Sequence, residues 1–142
     1  MKINYPLVVR YFLALGAPTK ENAHCLLRTI LHPDVTVETR QKNPDTQQET
    51  VVVKCSGIND VLAILDKSIF DNVQEGDYHL VSYLDDQEGN ISIELSCVED
   101  RKGNGTEQEG PGRYVTAGSQ LFKVVDNQIV SINILITHRE KV

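Results

Sequence analysis

Apolar residues recur at helical spacing in three places. Leu7, Val8, Tyr11, Phe12 and Leu15 form a broad stripe that stops at Gly16-Ala17-Pro18. Ala23, Leu26, Leu27, Ile30 and Leu31 form a second, opened by Thr19. It closes at His32-Pro33, because the residue before a proline avoids the α region. Ile58, Val61, Leu62, Leu65 and Ile69 form a third, with Ser56-Gly57 as its cap and Asn72 to Asp77 as its exit loop.

Elsewhere the pattern alternates. DVTVETR and the β-branched run TVVVKC predict two strands separated by the polar loop QKNPDTQQE. DYHLVSYL and NISIELSCV flank the turn DDQEGN, and YVTAGSQLFKVV and QIVSINILITH flank Asp126-Asn127, giving two hairpins. The segment between them, VEDRKGNGTEQEGPG, reads as a mobile hairpin loop, since too few residues remain on either side for separate cores. Helices first and antiparallel strands afterwards make an α+β fold, one domain over residues 1–142, with helices packed on one face of a curved sheet.

Register decides which side chains share a face. A two-residue loop at Asp126-Asn127 sets Gln120 opposite Asn133 and Leu121 opposite Ile132. A three-residue loop would instead pair Leu121 with Asn133. The first arrangement places the Gln120/Asn133 amides beside Phe122 on the concave face, where they could bond a ligand carbonyl or hydroxyl, or satisfy each other. It turns Val130, Ile132, Ile134 and Ile136, with Leu121, toward the convex face. In the earlier hairpin, pairing Leu84 with Ile91 gathers His79, Tyr83 and Glu94 on one side. Glu94 could then orient His79 as a general base with Tyr83 as donor, although the same face could be plain solvated surface. Glu38, on the mixed face of the first strand, is a further candidate base if buried.

Composition removes several classes of function. A net charge of −6 without clustered Lys and Arg argues against nucleic acid. YPLVVRYFLAL is interrupted by Arg10 and is too short to span a bilayer, so it reads as a core helix and no membrane contact is expected. Cys25, Cys55 and Cys97 are widely spaced, with no CxxC and no histidine at zinc spacing. Reduced thiols, cytoplasm, and no metal or cofactor are the expectation. His24, His32 and His138 read as surface or capping groups, and no GxGxxG, P-loop or GxSxG occurs.

The order of elements, with GPGRYVTAGSQLFKVVDNQIVSINILI and the crossing LHPDVTVE, resembles the cone-shaped nuclear transport factor 2-like superfamily, especially its SnoaL-like branch. That resemblance implies a conical pocket between concave sheet and helices, and a homodimer through the convex face. It implies no single chemistry, because ketosteroid isomerases, dehydratases, epoxide hydrolases, polyketide cyclases and binding-only proteins share the fold. SnoaL-like cyclases carry an acid two positions before the penultimate strand's aromatic; here that position is Gln120, ahead of Phe122. Their histidine partner would fall between Cys97 and Gly103, where no imidazole stands.

The reading that follows is a homodimeric protein binding a small, largely apolar molecule through Tyr83, Gln120, Phe122 and Asn133. Its dimer contact would be Leu121, Val130, Ile132, Ile134 and Ile136. The alternatives are a cofactor-independent enzyme using Glu38, His79 or Glu94, and a dimerisation module with a collapsed pocket.

Overall fold

The computed structural model describes residues 5–103 and 110–142. The centre of the predicted long loop, 104–109, lies outside the described residues. Among them, three α-helices, α1 (Tyr5–Leu15), α2 (Lys20–Ile30) and α3 (Ile58–Leu65), accompany six strands. The strands are β1 (Leu31–Lys42), β2 (Glu49–Ser56), β3 (Val73–Asp85), β4 (Asn90–Arg101), β5 (Gly112–Val125) and β6 (Gln128–Lys141). They form one sheet in the order β2-β1-β6-β5-β4-β3. β1 runs parallel to β6, and every other neighbouring pair is antiparallel. This is the α+β arrangement expected, with the helices against one face. No described helix is long and apolar enough to cross a membrane.

Local chemistry accounts for the element ends. Thr19 caps α2, its hydroxyl accepting from the Asn22 N–H at 3.1 Å. Leu31 leaves the helix directly into β1, so the chain passes through His32-Pro33 inside the strand. The β1–β6 register is irregular between Leu31 and Thr36, where proline has no N–H to give. Gly57, at φ 89°, precedes α3 without a side-chain cap bond, and its N–H donates to the Val35 carbonyl at 2.8 Å. Ser56 belongs to β2 and is no cap. At its far end α3 widens into a single π turn, Asp66–Phe70, in which the Asp71 N–H reaches back five residues to the Asp66 carbonyl at 2.7 Å. The predicted exit loop before Asp77 is already strand, and β4 continues to Arg101 rather than ending at Val98.

The core is one cluster. Leu7, Val8, Tyr11 and Ala14 of α1, Leu27 and Ile30 of α2, and Val61 and Leu62 of α3 meet Leu31, Val35, Ile91, Ile93, Phe122, Val124, Ile129 and Ile132 from the sheet. Phe122 is fully buried, with ring centroids 5.5 Å from Tyr11 and 6.1 Å from Phe12, both edge-on.

The turn at Asp126-Asn127 has two residues, both at positive φ (50° and 62°), and sets Val125 opposite Gln128 and Val124 opposite Ile129. The ladder then slips. Lys123 pairs with Ser131, leaving Val130 as an extra residue, a β-bulge. From there Phe122 faces Ile132, Leu121 faces Asn133, and Gln120 faces Ile134. One inserted residue moves the side chains of β6 from Ser131 to Ile136 to the other face, so the expected face of β6 is reversed while Gln120 and Phe122 of β5 stay on the concave side.

Candidate functional site: a conical cavity with a charged end

Period-two alternation places Ile91, Ile93, Leu95, Cys97, Glu99 and Arg101 of β4 on the concave face. Phe122, Gln120, Gly118, Thr116 and Tyr114 of β5 stand beside the first five in turn. The face therefore grades from apolar, under the helices, to charged. Along it lies a cavity of about 490 Å³, a size typical of small-molecule sites. Phe12, Leu15, Leu65, Val37, Cys55, Ile134 and Ile136 contribute apolar wall, while Tyr78, Glu99, Arg101 and Arg139 supply the polar end.

Glu99 and Arg101 are 6% and 8% exposed and pair at 2.9 Å between Oε1 and Nη1. Arg101 also donates from Nη2 to the Ser68 carbonyl of the π turn, tying that turn to the sheet. The Tyr78 hydroxyl donates to Glu99 Oε2. Although 42% of Tyr78 is exposed, burial of its hydroxyl, and then the bond to and charge of Glu99, raise it far above the tyrosine range. Arg139 lies over the Tyr114 ring, 4.8 Å from its centroid, and donates to Thr116 Oγ1 at 3.2 Å. The Cys97 thiol is pushed up to about 11 by burial first and then by Glu99, and burial first, then Asp60, raises Cys55. Both act here as small apolar wall groups.

Gln120 lines the cavity, and its buried Oε1 has no hydrogen-bond partner among the described residues. Gly118 is required by close approach: a Cβ there would stand 2.1 Å from the Leu135 carbonyl oxygen. No group of three His, Cys, Asp or Glu is placed to hold a metal ion among the described residues.

The residues singled out from sequence are distributed differently from expectation. Gln120 is at the cavity, but the bulge at Val130 carries Asn133 to the exposed convex side, and the amides do not pair. Phe122 lies in the core behind the cavity, not on its surface. Tyr83 faces the core opposite Ile93, because the β3–β4 register shifts between Leu80 and Ser82. His79 and Glu94 stay on the convex side, opposite Ser96 and Ser82. Both are exposed, and His79 pairs with Asp77 of its own strand at 3.1 Å. Glu38 is on that side too, opposite Asn133 and 3.4 Å from Arg40. None of these three reaches the cavity.

The expected dimer contact also divides. Ile132 is 1% exposed beneath the helices, Ile134 and Ile136 line the cavity, and Val130 is the bulge residue. Leu121 alone of that set is a large exposed residue, at 43%. The charged group of Tyr78, Glu99, Arg101 and Arg139 was not anticipated. Its signal was present in β4, where the alternation of NISIELSC carries on through VEDR and puts Glu99 and Arg101 on the face of Ile91 and Ile93.

The sequence matches no family model and no curated protein. Its structure is similar to several solved ones. A protein provisionally assigned as a SnoaL-like polyketide cyclase from Jannaschia sp. CCS1 superposes with a TM-score of 0.71 at 12% identity, over 94% of this chain and 84% of that one. A phenazine biosynthesis-related protein from Pseudomonas aeruginosa gives 0.64 at 14%, over 94% and 79%. A nuclear transport factor 2-like protein of unknown function from Exiguobacterium sp. 255-15 gives 0.63 at 14%, over 92% and 97%. At such identities the likeness concerns the fold alone: the chain has the cone fold that these SnoaL-like and nuclear transport factor 2-like structures share.

Proposed function

We propose that this chain binds a small, largely apolar molecule in the conical cavity, and that two copies associate through their convex faces. The observation that carries the binding reading is Gln120, whose Oε1 is buried without a hydrogen-bond partner among the described residues while its side chain lines a cavity with mostly apolar walls. An unmet buried acceptor costs roughly 1–3 kcal/mol, which a ligand hydroxyl or N–H would recover. A volume of about 490 Å³ argues against a collapsed interior. For association, Leu84 and Leu121 are 70% and 43% exposed on the side away from the helices.

A second reading, proton-transfer catalysis, draws on the Tyr78 phenol and Glu99 carboxylate at the cavity's end. It is the weaker one. Both Glu99 oxygens already accept hydrogen bonds, one from Arg101 and one from Tyr78, and its charge is matched by the guanidinium. That is the setting of an anchor more than of a base, which needs a lone pair open to the substrate.

Native mass spectrometry of protein purified from its own host tests the binding reading. A bound small molecule is expected in the wild type and should be lost from Ile136→Trp, which fills the cavity. Retention by a folded Ile136→Trp variant would place the ligand elsewhere.

A further inference from the structure

We infer that the π turn, Asp66–Phe70, is the gate of the cavity, latched from outside by the His24–Asp66 pair and from inside by Arg101 at the Ser68 carbonyl. This deepens the binding reading and rests on it, since a gate needs a molecule to admit. Ser68 and Ile69 of the turn line the cavity, beside Leu65 at the end of α3. The other walls are held differently. The sheet has its ladder bonds, and α1 and α3 send Leu7, Val8, Val61 and Leu62 into the core, whereas no residue of the π turn is buried. A wall with few buried contacts opens at lower cost than the packed walls around it.

Polar contacts to α2 hold the turn instead. Lys20, His24 and Arg28 recur every fourth residue, so they share one face of that helix. Lys20 Nζ meets Asp71 at 3.1 Å, His24 Nε2 meets Asp66 Oδ1 at 2.6 Å, and Arg28 Nη2 donates to Asn59 Oδ1 at 3.1 Å. The stripe therefore runs antiparallel to α3 and its π turn. Its three contacts differ in strength. The Lys20–Asp71 pair is exposed, a setting in which an ion pair adds little, while His24–Asp66 is partly buried and the His24 ring also lies edge-on to Phe70, with centroids 6.0 Å apart. The central pair is the outer latch, and Arg28 fixes the far end at the first turn of α3. Beyond the π turn the chain is pinned again. Asn72 is 2% exposed, its side-chain oxygen accepting from the Gly103 N–H at 3.0 Å and its backbone carbonyl from the Lys102 N–H at 2.8 Å. Between α3 and Asn72 a short segment can swing by itself.

Stopped-flow fluorescence with the neutral dye N-phenyl-1-naphthylamine reads the gate. A latch on a closed gate raises the barrier in both directions, so releasing it should speed uptake and release together and leave their ratio, the Kd, within about twofold. His24→Leu, which keeps an apolar contact with Phe70, and Asp66→Ala are each checked for folding by circular dichroism. Each should raise both rates by roughly three- to tenfold, as one lost, partly buried hydrogen bond supplies. The double variant should be no faster than either single one, since both remove the same contact. Arg28→Ala, at the fixed end, should match the wild type. Hydrogen exchange in His24→Leu should quicken at residues 66–71 and stay unchanged in the sheet. Unchanged rates in both single variants, or faster release without faster uptake, overturns the gate and leaves the cavity reading standing. A wild type that takes up no dye overturns both.

Discussion

The Tyr78 hydroxyl reaches the Glu99 carboxylate across the residue that pairs with Glu99 in the β3–β4 ladder, and that residue is Gly76. A Cβ on Gly76 would come within 2.9 Å of the Tyr78 ring. The missing side chain lets an aromatic on an edge strand lie down along the sheet, toward a buried ion pair. The polar end of the cavity thus depends on a glycine at ordinary φ, needed for space rather than for turning.

This relationship can be read by titration. Tyr78 keeps its proton well above the normal tyrosine range, so Tyr78→Phe should leave the phenolate absorbance gained between about pH 9 and 11 unchanged. Gly76→Val should add to it by about one tyrosine, since a displaced Tyr78 ring loses both its burial and its carboxylate partner. A drop in the Tyr78→Phe amplitude would show that the hydroxyl already titrates normally and is not held by Glu99.

The Glu99–Arg101 pair makes the next prediction. With both side chains under a tenth exposed, removing one partner leaves the other charge buried. Arg101→Met should therefore lower unfolding free energy by roughly 3–5 kcal/mol, the usual cost of orphaning a buried charge, and it also frees the Ser68 carbonyl of the π turn. Urea unfolding measures this directly. A loss below about 1 kcal/mol would mean that the pair is solvated and behaves as a surface salt bridge.

Gly118 should tolerate no side chain. Its Cβ would meet the Leu135 carbonyl at 2.1 Å and the Ile136 Cα at 3.1 Å, and backbone cannot swing aside as a side-chain tip can. The site adjoins a second register shift, between Ala117 and Gly118, that returns Arg139 to the concave face opposite Thr116. Gly118→Ala should cost on the order of 1–3 kcal/mol of stability by thermal unfolding. It should also weaken retention of the cavity's small molecule, because the strands flooring the cavity must part.

What the sequence showed and hid divides along the same bulges. Helical stripes such as Leu7, Val8 and Tyr11 predict their elements because packing against a sheet imposes the period, and the two-residue turn at Asp126-Asn127 is written in residues that accept positive φ. Nothing in Gln128 to Ser131 announces that Val130 will be skipped. The polar/apolar pattern fits either register, and packing under the helices decides, since Ile132 fills the buried place opposite Phe122 that Ser131 would otherwise hold. The same one-residue ambiguity at Val81 sent Tyr83 to the core, away from the His79 side. Glu99 and Arg101 were hidden for another reason. Charged residues read as the end of a strand unless their pairing to each other is known.

The thiols give a chemical map of the cavity. Cys25 is exposed, Cys55 is half-buried and Cys97 is 8% exposed. Thiolate is the nucleophile, so a pKa raised to about 11 leaves Cys97 almost wholly protonated near neutral pH, and its alkylation should go on accelerating as pH rises toward that value. Iodoacetamide near neutral pH, followed by peptide mapping, should modify Cys25 first, Cys55 slowly and Cys97 last. A bound apolar ligand should slow Cys97 further and leave Cys25 untouched. Rapid modification of Cys97 in folded protein would mean that the cavity is open where the structure closes it.

The convex face supplies the last prediction. Leu121 stands exposed opposite Asn133, with Leu135 beside Ser119 on the same side and Leu84 nearer the β3 edge, an apolar row in a mostly polar surface. A two-fold contact would bring each row against its copy, and a lysine at its centre would bury an unpaired charge on both sides of the axis. Sedimentation equilibrium should therefore find a wild-type dimer and a folded Leu121→Lys monomer. Ile134→Lys should behave differently, losing stability or the cavity's small molecule before association, because Ile134 lines the cavity. A wild-type monomer at roughly tens of micromolar, a concentration at which even a weak specific dimer is populated, would remove the association and leave the cavity's reading untouched. A dimer that persists in Leu121→Lys would move the contact to another surface.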